Sequence, residues 1–546
     1  MKNRFLLLIL PLLTSCSITL GPGKGNQVSS SDSSCLASEW EETPASSGAS
    51  GQRGEGDGSS SSRSGVSGTL EIYAINDFHG QVNAEGNFPG IKALGTYFKD
   101  KGKEENTLLI SSGDMFQGSI ESNYNSGHLL ADVMNDCRFD ALSLGNHEFD
   151  WGLEAIKENK KRVSSSGYQT PYLCANLYDY DGESEGSVQQ SEYGGEYVIR
   201  EESNGIRVGI IGAIGKAQIT SIESSRVASV CFKDPVSIVK GLSDELRTEK
   251  GCDVVILSYH ASQSALLNTG VTSVSSVSGK RYVDLVLCAH THKFESTTEN
   301  GVLFTQNDDK GENASHVTLT LGEDGEVTSS LQTISSSDMA SYASSSGYDE
   351  SISSLVATYG EESEAAASET LGTLSGSFYS SEQLPNLVSE AILEEANKTY
   401  AVDLAMTNSA RTTLKSGTLT YGGLFAALPF DNEIYVMKVT GDCLFKNASS
   451  NYFARAKEEA FSSSSSVTYT VAVIDYLATH QNSARAYDKF PGAEILGTLS
   501  DEAGKSRIYR DIASDYIKAQ KTVRATDYSS SADRHSYSLL SSAVSL

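Results

Sequence analysis

Positive charge is scarce in this chain. Lysine and arginine total 42 against 70 aspartates and glutamates, a formal net charge of −28 over 546 residues. No basic strip runs through it, which speaks against binding to nucleic acid polymers or directly to anionic membranes. Small anionic substrates are not excluded, because surface carboxylates are screened beyond roughly 10 Å at moderate salt. Cysteine is also sparse: there are eight, and none forms a CxxC pair. If Cys16 is modified, an odd number remains, which argues against a disulfide scaffold. Cys137, Cys174 and Cys288 sit in apolar runs and read as buried hydrophobes. Long apolar runs are missing as well. Only residues 5–13 form one, too short to span a bilayer.

That run follows Lys2 and Arg4, and it reads as an export signal. It ends in Leu13-Thr14-Ser15-Cys16, which resembles a bacterial lipoprotein cleavage box with Cys16 as the acylated residue. The expectation is an exported protein, lipid-anchored at a bacterial cell surface or on the periplasmic face of a membrane, with residues 1–16 as its signal. Residues 17–68 are rich in Ser, Gly, Asp and Glu and lack hydrophobic periodicity, so they are expected to be disordered. Such a coil would hold a folded domain roughly 40 Å from the membrane.

A chain this long is too large for one core, which implies two folded domains plus tails. Over 69–335, strand-like runs alternate with helical patterns, at 90–101 and 127–137 among others, as in an α/β domain. Residues 196–215 read as two strands joined by the Ser203-Asn204-Gly205 turn. Residues 344–368 carry Ile352, Leu355, Val356 and Tyr359 at helical spacing and read as a linking helix. A smaller domain follows over 371–525, with helices expected at 382–400 and 509–522 and a strand at 467–477. The largely serine tail, 526–546, is expected to be unstructured.

Five short apolar runs each end in metal-binding side chains. They lead to Asp77 and His79, to Asp114, to Asn146-His147-Glu148-Phe149-Asp150, to His260, and to His290 and His292. Such runs suit strands buried on both faces. If parallel, their carboxyl ends share one rim, where ligands bind in α/β folds. Oxygen and imidazole ligands in this number suit two divalent ions, an arrangement used to cleave phosphate esters. Of the nine histidines in the chain, five fall in these segments. A structural role for any one of them is ordinary; the whole ordered set is hard to attribute to accident.

Residues 70–82, Leu-Glu-Ile-Tyr-Ala-Ile-Asn-Asp-Phe-His-Gly-Gln-Val, and 139–150, Phe-Asp-Ala-Leu-Ser-Leu-Gly-Asn-His-Glu-Phe-Asp, resemble the two signatures of the 5′-nucleotidase family. That family includes UDP-sugar hydrolases and 2′,3′-cyclic-nucleotide phosphodiesterases. The resemblance implies a calcineurin-like metallophosphoesterase β-sandwich flanked by helices, plus a smaller α/β C-terminal substrate-binding domain. It assigns Asp77, His79 and His292 to one ion, Asn146, His260 and His290 to another, and Asp114 to both. The ions would be Zn, Mn or Fe. His147 becomes the proton or hydrogen-bond donor to the reacting phosphate, with Asp150 fixing its ring. Glu148 shares the motif without an assigned role.

The C-terminal resemblance is looser. Asn408-Ser-Ala-Arg411 lacks the family's glycines, with Arg411 at the phosphate-contacting arginine. Leu428-Pro-Phe430-Asp-Asn432 is similar to a Pro-Phe-Gly-Asn segment, and Tyr476 takes a second aromatic position, so Phe430 and Tyr476 would sandwich a base. Asn482 stands where the family has a ribose-binding aspartate. The implied activity is release of phosphate from nucleotides, with cyclic nucleotides, UDP-sugars or another phosphate ester as alternatives. A non-catalytic surface binding protein is the competing class, disfavoured because every assignable ligand is intact. No obligate protein partner is implied.

Overall fold

Short β-branched and apolar runs become strands wherever both faces can be covered. The computed structural model describes residues 65–180, 190–456, 460–478, 490–501 and 504–537, all within one compact unit spanning Arg63–Leu546. Cys16, the signal, most of the expected linker and Asn482 lie outside the described residues.

The first lobe contains two facing six-stranded sheets. In one, Gly68–Ile75, Thr107–Ser111, Ala141–Ser143 and Tyr172–Leu173 run parallel, with Asn313–Leu321 and Val327–Ser335 added antiparallel. In the other, Arg207–Ile214, Val254–His260, Leu285–Leu287 and Val302–Gln306 run parallel, flanked by Tyr197–Glu201 and Glu295–Glu299. The five ligand-bearing runs are therefore divided, three in the first sheet and two in the second.

Side-chain alternation builds the sandwich. Leu70, Ile72 and Ala74 point inward to meet Val208, Ile210, Val254 and Ile256. Tyr73 and Ile75 point outward to the helices Gly90–Lys101 and His128–Cys137. The opposite sheet packs its outer face on the helix Pro235–Thr248, through Val239, Leu242 and Leu246. Cys137, Cys174 and Cys288 are buried free thiols.

Glu350–Ala367 is one helix, capped by Asp349, whose carboxylate accepts the Ser351 and Ile352 N–H groups. Its first half belongs to the first lobe: Ile352 and Val356 enter that core, and Tyr359 Oη donates to Asp132, which also pairs with Arg162. The second lobe has a five-stranded sheet in the order Tyr452–Arg455, Leu404–Thr407, Thr468–Ile474, Ile434–Thr440, Glu494–Thr498. The helices Gln383–Ala396 and Tyr509–Gln520 contribute to its core. Among the described residues, no helix is long and apolar enough to cross a membrane.

The tail departs from expectation. Residues 526–537 are folded, not unstructured. Tyr528 and His535 are buried, Arg534 pairs with Glu390, and Arg455 donates its backbone N–H to Arg534 O at 3.1 Å. The physical reason is the strand Tyr452–Arg455 at the sheet edge. Its outward backbone groups need partners, and this serine-rich segment supplies them despite lacking hydrophobic periodicity.

Candidate metal centre and adjoining cleft

At the carboxyl ends of the parallel strands the backbone turns back sharply. Asp77, His79, Asp114, His290 and His292 all have positive φ, from 48° to 81°. Non-glycine residues rarely adopt this conformation, and such strain gathers at functional sites. Here the turns aim five side chains at one region between the sheets.

The carboxylates are half-satisfied. Asp77 Oδ2 accepts Asn76 Nδ2 at 2.7 Å and the His290 N–H at 2.8 Å, while its buried Oδ1 has no hydrogen-bond partner. Asp114 Oδ1 accepts the His147 N–H at 2.8 Å, and its buried Oδ2 likewise has none. Imidazoles surround these oxygens. His292 Nε2 lies 3.5 Å from Asp77 Oδ1, and His260 Nε2 lies 3.2 Å from Asp114 Oδ2. His79 Nε2 stands 4.0 Å from each oxygen. Asp77, His79 and His292 form one group able to hold a metal ion, and Asp114, His260 and His290 form another. Asn146 Oδ1 is 3.1 Å from His260 Nε2, so it joins the second.

This donor set fits divalent cations. Two buried carboxylate oxygens with imidazoles nearby but no hydrogen bond of good geometry carry a large desolvation cost unless a cation meets them. The imidazoles are oriented from behind, as metal-binding histidines usually are. His260 Nδ1 lies 2.8 Å from Ser112 O and His79 Nδ1 lies 3.1 Å from Gln117 O. Burial keeps His79 neutral, with its pKa down to about 3. Burial opposes the charged forms of Asp77 and Asp114, yet His292 and His260 hold both carboxyls below their ordinary range.

His147 and Asp150 sit beside this cluster on one tight turn, with Nδ1 to Oδ2 at 2.8 Å. Burial disfavours the imidazolium, but the Asp150 and Asp114 carboxylates outweigh it and lift the His147 pKa to about 9. Glu148 gains a definite place. It is buried, and its carboxylate accepts the N–H groups of Asp114, Met115 and Gly145 at 2.9, 2.8 and 2.7 Å. It therefore joins the turn that carries Asp114 to the turn that carries Asn146.

The cluster opens into a cleft of about 580 Å³ lined by both lobes. Asn408, Arg411, Phe430, Asn432 and Tyr476 all line it, across from His147, Asp150, His290 and His292. The Phe430 ring stacks on His147 at 5.8 Å between centroids and 21° between planes. The Arg411 guanidinium lies 4.8 Å from the Phe430 centroid. Ser221, Glu223, Arg226, Asp475 and Tyr509 also line the cleft and were absent from the sequence reading. Ser221 ends the short 3₁₀ helix Lys216–Ser221, and Glu223 caps the 3₁₀ helix Ser224–Val227 that carries Arg226; both are too short to give a periodic signal.

Comparison with known proteins agrees with this construction. The calcineurin-like phosphoesterase family matches residues 70–294, and the 5′-nucleotidase C-terminal domain matches residues 364–460. An endonuclease, YhcR, of Bacillus subtilis (strain 168) is 26% identical over 403 residues, covering 68% of this chain and 32% of that protein. An apyrase of Tabanus yao is 30% identical over 245 residues, covering 42% of this chain and 40% of that protein. The chain thus spans well under half the length of either relative. The crystal structure of a 5′-nucleotidase precursor from Thermus thermophilus superposes with a TM-score of 0.63 at 18% identity, covering 83% of this chain and 97% of that one. At that identity the likeness concerns the fold.

Proposed function

The chain belongs to the calcineurin-like phosphoesterases that carry a 5′-nucleotidase C-terminal domain, and we propose that it hydrolyses nucleotides to nucleoside and phosphate. The observation that carries the reading is the pair of buried, unpartnered oxygens, Asp77 Oδ1 and Asp114 Oδ2, opening into a cleft that also holds Arg411 and Phe430. Asp77, His79 and His292 would hold one divalent ion, and Asn146, His260 and His290 the other, with Asp114 between them. Zn, Mn and Fe suit this oxygen and nitrogen set. Bound there, such ions supply water activation and charge stabilisation at phosphorus.

The chain's own residues do the rest. His147, protonated near neutral pH by the carboxylates beside it, donates a hydrogen bond or proton as charge builds on the phosphate and the leaving oxygen. Asp150 holds the ring through Nδ1, leaving Nε2 for the substrate. Arg411 offers a planar fork to phosphate oxygens. Phe430 and Tyr476 give aromatic faces to a base, and Asn408 and Asn432 give polar contacts at the same wall. Asn482 would replace a ribose-binding carboxylate. We further propose export and acylation at Cys16, supported by the Leu-Thr-Ser-Cys box.

Phosphate release tests the reading. A panel of nucleoside monophosphates, cyclic nucleotides, UDP-sugars, 4-nitrophenyl phosphate and DNA would be assayed with added Zn, Mn or Fe and after chelation. Metal-dependent release fastest from mononucleotides is expected. Fastest cleavage of another member replaces the substrate assignment, and undiminished activity after exhaustive chelation sinks the metal reading.

A further inference from the structure

The turn that presents Phe430 is gripped from two sides by groups outside the proposed reacting set. From its own lobe comes Arg510, on the helix Tyr509–Gln520, only 4% exposed. Its Nη1 donates to the carbonyls of Leu428 and Phe430 at 2.9 and 3.1 Å, and Nη2 donates to Asp431 Oδ1 at 2.5 Å. Its guanidinium carbon lies 3.9 Å from the centroid of the Phe425 ring. One rigid fork thus binds three groups around a single ring-bearing residue, geometry that an ammonium cannot reproduce.

From the other lobe comes Asn123. Its Nδ2 donates to Pro429 O at 3.1 Å, the carbonyl immediately before Phe430. Its Oδ1 accepts the Gly118 N–H at 2.7 Å. Gly118 follows Gln117, whose carbonyl lies 3.1 Å from Nδ1 of His79. One amide therefore bridges the loop behind a metal-binding imidazole and the turn that carries the aromatic platform.

We propose that Arg510 and Asn123 are positioning residues that fix Phe430 against His147, and so set discrimination for substrates carrying a flat base. The proposal rests on the base-stacking reading of Phe430. Neither residue is placed against the reacting phosphate. Each acts through the Leu428–Asp431 backbone, whose carbonyls lose their partners when either is changed.

The test uses the full chain and the ratio of kcat/KM for an adenine nucleoside 5′-monophosphate to kcat/KM for 4-nitrophenyl phosphate. A variant that merely lowers the folded fraction leaves this ratio unmoved. Asn123→Asp is the cleaner probe. It keeps an oxygen for the Gly118 N–H, loses the donor to Pro429, and sets a carboxylate oxygen against that carbonyl. Arg510→Lys removes the fork and keeps the charge. Each is expected to lower the ratio about tenfold, the scale of a lost hydrogen bond with an acceptor left unmet. In a Phe430→Ala background each should lower it by less than about twofold, because coupled residues are not additive.

If Phe430→Ala alone leaves the ratio unchanged, the stacking reading fails and this inference falls with it. If Phe430→Ala lowers the ratio while Asn123→Asp does not, or if the effects add in full, the stacking reading stands and the positioning roles are overturned. Should Arg510→Lys fail to fold, Asn123→Asp still decides.

Discussion

Gly145→Ala probes the candidate metal centre without replacing any of its candidate ligands. A Cβ at this position would stand 2.2 Å from Asp114 Oδ1, 2.7 Å from Asp114 N and 2.7 Å from Cε1 of His260. Gly145 does not occupy the left-handed region, so alanine costs the backbone little and the damage is steric. The Asp114 carboxylate would have to withdraw by roughly 1 Å and the backbone that carries it by a few tenths of an ångström, a misplacement that costs a catalytic site about 10²-fold. The same oxygen accepts the His147 N–H, and Gly145 itself donates to Glu148, so the strain reaches both the candidate ligand and the proposed proton donor. The assay combines turnover of 4-nitrophenyl phosphate, elemental analysis, circular dichroism and thermal melting. The expected outcome is a folded protein with about 10²-fold lower turnover and reduced metal content. A folded Gly145→Ala variant with wild-type metal content and wild-type turnover would refute the close packing on which the assignment of Asp114 depends.

Two other outcomes follow from the same geometry, and a third from the sequence alone. Asp114→Asn should remove most activity while the fold persists, and elemental analysis of the wild-type protein should find about two ions per chain; one ion, or none, would contradict the paired centre. His147→Ala should slow turnover by about 10² to 10⁴, the range for a lost general acid, with metal content near wild type; loss of metal would make His147 a ligand instead. Cys16→Ser should abolish incorporation of labelled lipid precursor in a bacterial host; equal labelling of both proteins would move the acylation site elsewhere.

Several elements were legible because their signals are local. The helix Gly90–Lys101 coincides with its apolar stripe, and the hairpin strands Tyr197–Glu201 and Arg207–Ile214 flank the Ser-Asn-Gly turn as expected. Helix ends were less sharp: the helix expected over 382–400 stops at Ala396, where Asn397 closes it. Residues 526–537 depart from the expectation because their order comes from the edge strand beside them, not from their own composition.

By itself, the sequence determined which side chains end the buried strands, because apolar runs and the Asn-His-Glu-Phe-Asp motif depend on neighbours along the chain. It also determined that seven candidate ligands were present and in order. Only the tertiary structure decided that three ligand strands lie in one sheet and two in its partner. It also left Asp77 Oδ1 and Asp114 Oδ2 bare among imidazoles, gave Glu148 its three backbone donors, and set Asn123 and Arg510 around the turn bearing Phe430. Apart from the Gly145–Glu148 bond, these features join residues dozens to hundreds of positions apart. Contacts of that kind arise from the packing of sheets and lobes, and no periodicity along the chain encodes them.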